Sequence, residues 1–438
     1  MKKLYVLIFT AICIFPLATF PFAGNQNAES ASSVKATPEL VKQGKLNTDF
    51  FKDCGDYFSY NFGFRQNYVT ANAYLKSGIF HTSDEDNVVM GKDGWLYYGS
   101  SMNDFYGYPT MSDKDIDTAV TNLEAIQKKC ADNGIRFVFT IAPNKNSLYP
   151  QYITTKYRRT PDRKNAVRMI AALEKSDVNF VNLYDLFGEQ NEVLYHKTDS
   201  HWNNRGAALV NKALFDSVGK EVTDYTNVPY QKRNDFTGDL FSMLYPTEKG
   251  TDPEYYYQVK RAYTYDAPIE STFDPEIETT NTSKKGSLVM FRDSFGNSLL
   301  PFAADEFGKA YFTREEPFDV DEAISRGADT VVVEICERNL SHLKKWTPSA
   351  KTDEGGGSSD NGKSTEEMMA TANKYMNKDI ESLIAVLGKP DSVKVSPSCE
   401  IEGGEEKVYK WKGFSVYTLC QNKKAREPYL IVRVREDH

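Results

Sequence analysis

The sequence predicts an α/β protein: a mostly parallel sheet covered by helices on both faces, followed by a small α+β unit. Two observations carry this. From residue 115 onward, apolar strands of about five residues alternate with amphipathic helices, which is the pattern of a parallel sheet buried on both faces. A Gly/Ser-rich, polar stretch at 348–364 then separates this rhythm from a last segment of different pattern. At 438 residues the chain exceeds one ordinary core, so several units are expected.

The N-terminus opens with Met1-Lys2-Lys3, and no charge follows from Leu4 to Ala23. A short positive start and an apolar run describe an export segment over 1–23. A run of about 20 residues also suffices to span a bilayer, so a cleaved signal peptide and an uncleaved signal anchor are both open readings. Either places the body outside the cytoplasm, secreted or membrane-anchored. Residues 24–43 are small and polar and form a tether. The main domain is expected over 44–347. It begins with an aromatic-rich helical lead-in from Phe50 to Tyr74. Val88-Val-Met90, the turn Gly91–Gly94 and Trp95-Leu-Tyr-Tyr98 then make a β-hairpin.

Ile116, Ala119, Leu123 and Ile126 share one face of a helix over 115–133. Strands follow at Arg136–Ala142 and 179–183, with a helix over 161–175 between them. A helix over 204–218 comes next, then a strand at 287–291, a helix from Asn297, and strands at 309–313 and 330–335. Residues 220–285 interrupt the rhythm with prolines, acids and a Tyr255-Tyr-Tyr257 run, and read as an insertion of loops and short strands. After the linker, a helix over 365–387 and three strands form the small domain at 365–438.

The net charge is −8, which argues against a nucleic-acid partner, since phosphates need a basic face. The cysteines are widely spaced and none forms a C-x-x-C pair, so no structural zinc site is indicated. Cys399 and Cys420 are either a pair in an oxidising compartment or ordinary small core residues. No glycine-rich nucleotide loop is present, and no cofactor or metal is implied.

Histidine suits general-base work near neutral pH, and the chain has five. His81, His342 and His438 read as solvated loop residues, and His196, beside Lys197, as a surface-loop residue. His201 lies in Thr198-Asp199-Ser200-His201-Trp202. In extended chain, residues two apart point to one side, so Asp199 can fix the tautomer of His201. The second motif is Arg292-Asp293-Ser294-Phe295-Gly296. A strand runs in and a helix runs out, so Ser294 sits at a helix N-terminus, where N–H groups favour a developing oxyanion. Taken alone, Ser294 reads as a helix cap; with Asp199 and His201 it reads as a nucleophile. Asn144 and Arg338 follow strands at their carboxyl ends, where α/β sites form, and are further candidates for oxyanion or substrate contacts.

These blocks together resemble the DHHW family, a branch of the SGNH-type hydrolases that includes alginate O-acetylation proteins. The matching residues are Gly91-Lys-Asp-Gly-Trp-Leu-Tyr-Tyr98, Ala142-Pro-Asn-Lys145, Tyr149-Pro150, Asp199-Ser-His-Trp202 with Gly206, Arg292-Asp-Ser-Phe-Gly296 and Glu337-Arg338. The resemblance implies a three-layer α/β/α SGNH-like fold with permuted motif order, because Asp199 and His201 precede Ser294. It implies Ser294 as nucleophile, His201 as base and Asp199 as orienting acid. It further implies O-acetyl transfer to an exopolysaccharide or cell-wall glycan, with a membrane-bound O-acyltransferase supplying the acetyl group. Ser200 stands where the family's name has a histidine. Arg292 stands where a glycine usually precedes Asp-Ser, which makes it a third candidate at the oxyanion site. The same residues also suit a carbohydrate acetylesterase, or a glycan-binding member of an acetylation complex whose triad is a remnant.

Overall fold

A computed structural model describes residues 2–19, 37–42, 45–83, 85, 87–108, 111–154, 164–317, 319–347, 364–398, 404–421 and 427–436. The chain separates into two compact units. The larger holds Ile79–Leu244 and Glu248–Thr352; the other holds Met1–Gly78, Tyr245–Thr247 and Asp353–His438.

Seven strands of the larger unit form one sheet: β1 (Arg136–Ala142), β2 (Phe180–Val181), β3 (Thr264–Tyr265), β4 (Glu276–Thr280), β5 (Ser287–Phe291), β6 (Lys309–Thr313) and β7 (Thr330–Cys336). Their spatial order is β2-β1-β7-β5-β6-β4-β3. The first five in that order are parallel, and β4 and β3 add antiparallel at one edge. Strand β7 is buried along its whole length, as a central strand covered on both faces must be.

Successive side chains leave the sheet on opposite sides and make two cores. Phe137, Phe139, Val331 and Val333 pack with Ile116, Leu123 and Ile126 of helix α1 (Asp113–Asp132) and Met169 of α2 (Asn165–Leu173). Val138, Leu288, Met290 and Val332 pack with Val210 and Leu214 of α3 (Asn204–Ser217) and Leu299 and Phe302 of α4 (Gly296–Ala304). The result is the three-layer α/β/α arrangement. Helix α1 starts where the sequence provides a capping box, with Ser112 and Asp115 answering each other's backbone N–H.

The hairpin forms as expected, with Val88 opposite Tyr98 and Met90 opposite Leu96. Three details differ from expectation. The strand near 180 is two residues long, because Asn182 accepts from Tyr184 N–H and starts the helix Leu183–Gly188. Residues 220–285 do more than interrupt: β3 and β4 extend the main sheet, and Tyr230–Phe236 pairs with Asp252–Tyr257 as an antiparallel ribbon. The helical span at 161–175 is described only from residue 164, and the helix runs Asn165–Leu173.

In the other unit, Lys2–Thr19 is helical despite Pro16, and helices Phe50–Asn61 and Arg65–Leu75 form the aromatic lead-in. No helix among the described residues is long and apolar enough to cross a membrane. The single helix expected over 365–387 is two, Thr365–Asn373 and Ile380–Leu387. Asn377 takes a left-handed conformation (φ 62°) and donates its N–H to Ile431, and Asp379 caps the second helix. The sheet has four antiparallel strands rather than three, since Ser392–Pro397 pairs with Glu405–Trp411 ahead of Phe414–Cys420 and Leu430–Glu436. Cys399, nearly all of the 348–364 linker and most of the 24–43 tether lie outside the described residues.

Candidate active site

Strands β1, β7 and β5 are neighbours, and their carboxyl ends deliver Asn144, Arg338 and Ser294 to one edge of the sheet. Parallel sheets gather ligands at this edge. The loop Tyr195–Trp202, closed on itself by a bridge between those two residues, brings Asp199 and His201 there as well. His201 Nε2 lies 2.8 Å from Ser294 Oγ. His201 Nδ1 lies 2.8 Å from Asp199 Oδ1. Hydroxyl, imidazole and carboxylate thus stand in series.

Each member is held. Asp199 Oδ1 also accepts from His201 N–H at 2.8 Å, and Oδ2 accepts from Asp239 N–H at 2.8 Å. Phe295 meets the His201 ring edge-on at 4.7 Å between centroids. Trp202 anchors the loop to the serine helix by donating Nε1–H to Ser298 Oγ at 2.9 Å. Gly296 is required where it is, since a Cβ there would lie 2.5 Å from the Arg292 side chain.

Burial works against charge on Asp199, yet His201, then His196 and the Asp239 N–H, hold its carboxyl well below the usual range. Burial also works against charge on His201. Asp199 and then Asp239 outweigh it and lift His201 above its ordinary 6.5, with Arg338 opposing. The surroundings therefore favour the charged form of the His201 imidazole.

Asn144 is buried. Its N–H donates to Glu337 at 2.8 Å, its Oδ1 is 3.4 Å from Cys336 Sγ, and its Nδ2 has no hydrogen-bond partner among the described residues. Arg338 donates to Cys336 Sγ at 2.8 Å and reaches Ser294 Oγ at 3.4 Å. Both candidates therefore belong to the site. Arg292 does not face it: its guanidinium donates to the carbonyls of Thr272 at 3.0 Å and Asp274 at 2.9 Å, and to Asn297 Oδ1. It ties the serine turn to the 272–274 loop.

His196 corrects the surface-loop expectation. It is 2% exposed, stacks on Phe236 at 3.9 Å and lies 3.2 Å from Glu254. His342 likewise is not free in solvent but sits 2.8 Å from Glu316. His81 is exposed.

Two residues escaped the sequence reading. Lys145 is buried and donates to three carbonyls of the His201 loop: His196 at 3.0 Å, Lys197 at 2.8 Å and Asp199 at 2.5 Å. Its ammonium also lies over the Trp95 and Tyr97 rings. Burial lowers its pKa to about 8 against the pull of Asp199, Asp239 and Asp252. The sequence signal was Ala142-Pro-Asn-Lys145 itself, whose lysine had no assigned role. Asp239 comes from the ribbon segment, 40 residues beyond Asp199, where no motif marks it. Asp199, His201 and Asp239 bring ligand-type atoms within 4.8 Å of one another. His201 Nδ1 and the Asp199 and Asp239 carboxylates all have hydrogen-bond partners within the chain.

Residues 88–280 match the family model of the SGNH hydrolase-like domain of the acetyltransferase AlgX. The chain resembles the SGNH-like proteins of alginate acetylation. The matched stretch holds Asn144, Asp199, His201 and Asp239, while Ser294 and Arg338 follow it. The probable alginate O-acetylase AlgJ of Pseudomonas aeruginosa is 26% identical over 186 residues, which are 39% of this chain and 44% of that protein. The chain thus matches less than half the length of this curated relative. Among solved structures, a DHHW family protein from Eubacterium siraeum is 18% identical, with 60% of this chain and 95% of that one covered and a TM-score of 0.43. Bacillus cereus PatB1, solved with a sulfonyl adduct, is 16% identical, with 61% and 99% covered and a TM-score of 0.45.

Proposed function

We propose that this protein is an exported O-acetyltransferase that carries an acetyl group on Ser294 and passes it to a hydroxyl of an exopolysaccharide or cell-wall glycan. The observation that carries the proposal is the Ser294–His201–Asp199 series, with 2.8 Å at each link. The likeness to alginate O-acetylation proteins supports the substrate class.

His201 takes the Ser294 proton as Oγ attacks the acetyl carbonyl of the donor. Negative charge gathers on the carbonyl oxygen. Arg338, and the Nδ2 of Asn144, which has no partner among the described residues, are the donors for it. The tetrahedral species collapses, and His201 returns its proton to the leaving group. A glycan hydroxyl then gives its proton to His201 and attacks acetyl-Ser294. The glycan ester leaves and Ser294 is restored. With water as acceptor the same residues act as an acetylesterase. The apolar segment after Lys2-Lys3 supports export, and a membrane-bound O-acyltransferase is the proposed donor on the outer side.

The test uses p-nitrophenyl acetate with wild type, Ser294→Ala and His201→Ala, and mass spectrometry of the Ser294 peptide. Turnover lost in both variants, with a transient acetyl on Ser294, is expected. Full turnover in Ser294→Ala would overturn the assignment. Acetyl found on added glycan, above free acetate, separates transferase from esterase.

A further inference from the structure

His201 Nδ1 faces two carboxylates. Asp199 Oδ1 is 2.8 Å away and Asp239 Oδ2 is 3.6 Å away. Asp239 also holds the residue between the two triad members: its Oδ1 accepts Ser200 N–H at 2.8 Å, and its Oδ2 accepts the Ser200 hydroxyl. Ser200 Oγ in turn lies 3.2 Å from His201 Nδ1. The backbone of Asp239 closes the ring by donating to Asp199 Oδ2. The approach is fixed by the preceding glycine, since a Cβ on Gly238 would lie 2.2 Å from Thr198 O. A helix cap needs none of this. Asp239 does accept from Leu240 N–H, but its bonds to Ser200 and Asp199 run to the His201 loop.

We propose that Asp239 is a second acid for His201: a positioning residue that holds Ser200 and shares with Asp199 the stabilisation of the imidazolium. The proposal rests on the acyl-enzyme reading, and its test is chosen so that the two can fail separately. The charged and titratable groups around the pair are Asp199 on the same loop, Arg338 after β7, Lys145 after β1, and His196 with Glu254 and Asp252 of the ribbon. Of these only the two aspartates lie against Nδ1.

The readout is the rate at which phenylmethylsulfonyl fluoride labels Ser294, measured against pH in the full chain. This needs neither donor nor glycan. Reaction requires neutral His201, so the rate falls as pH drops through the His201 pKa. Asp239 raises that pKa, with His201 and the Ser200 donors favouring its charge against burial and Asp199, so Asp239→Asn shifts the acid limb to lower pH. Asp239→Glu keeps the charge and returns the limb to the wild-type position. A purely structural role would change the plateau rate and leave the limb in place. Asp199→Ala is expected to lose about 10²-fold, not the about 10⁴-fold seen where a lone orienting acid is neutralised. Adding Asp239→Asn to Asp199→Ala removes the remainder.

An unmoved limb in Asp239→Asn, or a double variant no slower than Asp199→Ala, would overturn the role of Asp239. A wild-type Ser294 that takes no label at any pH would remove the nucleophile, and this proposal with it.

Discussion

Lys145 shows how one buried side chain holds the His201 loop. Its ammonium has three hydrogens, and three loop carbonyls accept them. Replacing it with methionine keeps much of the bulk and removes all three donors. Each hydrogen bond to a charged group contributes about 1.5–3 kcal/mol, so Lys145→Met is expected to cut p-nitrophenyl acetate turnover by at least about 10²-fold while the fold survives. Turnover within twofold of wild type would remove Lys145 from the positioning scheme. The same residue sets an upper pH limit. With its pKa lowered to about 8, Lys145 loses its proton as pH rises through that value, and a neutral amine has one donor fewer for the loop. Activity is therefore expected to fall above about pH 8, and Lys145→Arg, which stays charged, is expected to extend the plateau upward. The serine, histidine and first aspartate were legible in sequence because each sits in a compact motif at a strand or helix end. Lys145 and Asp239 were not, because a lysine that binds backbone carbonyls and an acid that binds a neighbour's hydroxyl leave no periodic trace.

The ribbon Tyr230–Phe236/Asp252–Tyr257 acts as a strap on the His201 loop. Asp252 accepts Thr198 N–H at 2.6 Å and its hydroxyl at 2.7 Å. Glu254 accepts Asn204 N–H at 3.0 Å at the start of α3. Gly238 packs directly on the backbone of Thr198. The sequence marked this region as an interruption by its prolines, its acids and the Tyr255-Tyr-Tyr257 run. What the ribbon holds is read only from the fold. Two substitutions test the strap. Gly238→Ala must displace the Thr198 backbone, and is expected to lower both Tm and Ser294 labelling. Asp252→Asn keeps one acceptor and weakens two bonds, and is expected to slow labelling several-fold with a smaller loss of Tm. Labelling at the wild-type rate in both would mean that the loop holds itself. The parallel strands, by contrast, were plain in sequence: Leu288-Val-Met-Phe291 and Val331-Val-Val333 have no reason to be apolar at every position unless both faces are covered. The split of the 365–387 helix was hidden because Asn377 interrupts an otherwise helical pattern with one left-handed residue.

At the scale of the whole molecule, the cores are local. The side chains that back the site, from Met111 to Trp346, belong to the two cores flanking the seven-stranded sheet. The last segment has a core of its own, made by Ala372, Ile380, Leu383, Leu387, Trp411, Phe414, Val416 and Ile431. A chain ended after Thr347 is thus expected to keep Ser294 labelling at the wild-type rate. A truncated chain that folds but no longer labels would give the last segment a part in catalysis.

The larger unit also carries its own pH dependence. Burial, and then Glu337, push the Asp104 carboxyl from 3.8 up to about 7, although Asn165 N–H and Lys164 favour its charge. A carboxyl whose pKa rises on folding contributes stability below its unfolded value and loses it as pH climbs through the folded value. The wild type should therefore lose stability from about pH 4 to about pH 7 through this group, and no more above that. Asp104→Asn is neutral throughout and can still accept the Asn165 N–H. Its Tm is expected to exceed that of wild type at pH 8, with the gap shrinking steadily towards pH 4. His201 contributes in the same sense, for its raised pKa gives stability that is lost as pH rises through the folded value. Asp199 acts in the opposite sense, giving stability above its unfolded value that is lost only on acidification. Measuring the Asp104→Asn gap against wild type cancels both, because they are common to the two chains. A constant gap from pH 4 to pH 8 would mean that Asp104 is ionised in the folded protein, with Lys164 rather than burial deciding its charge.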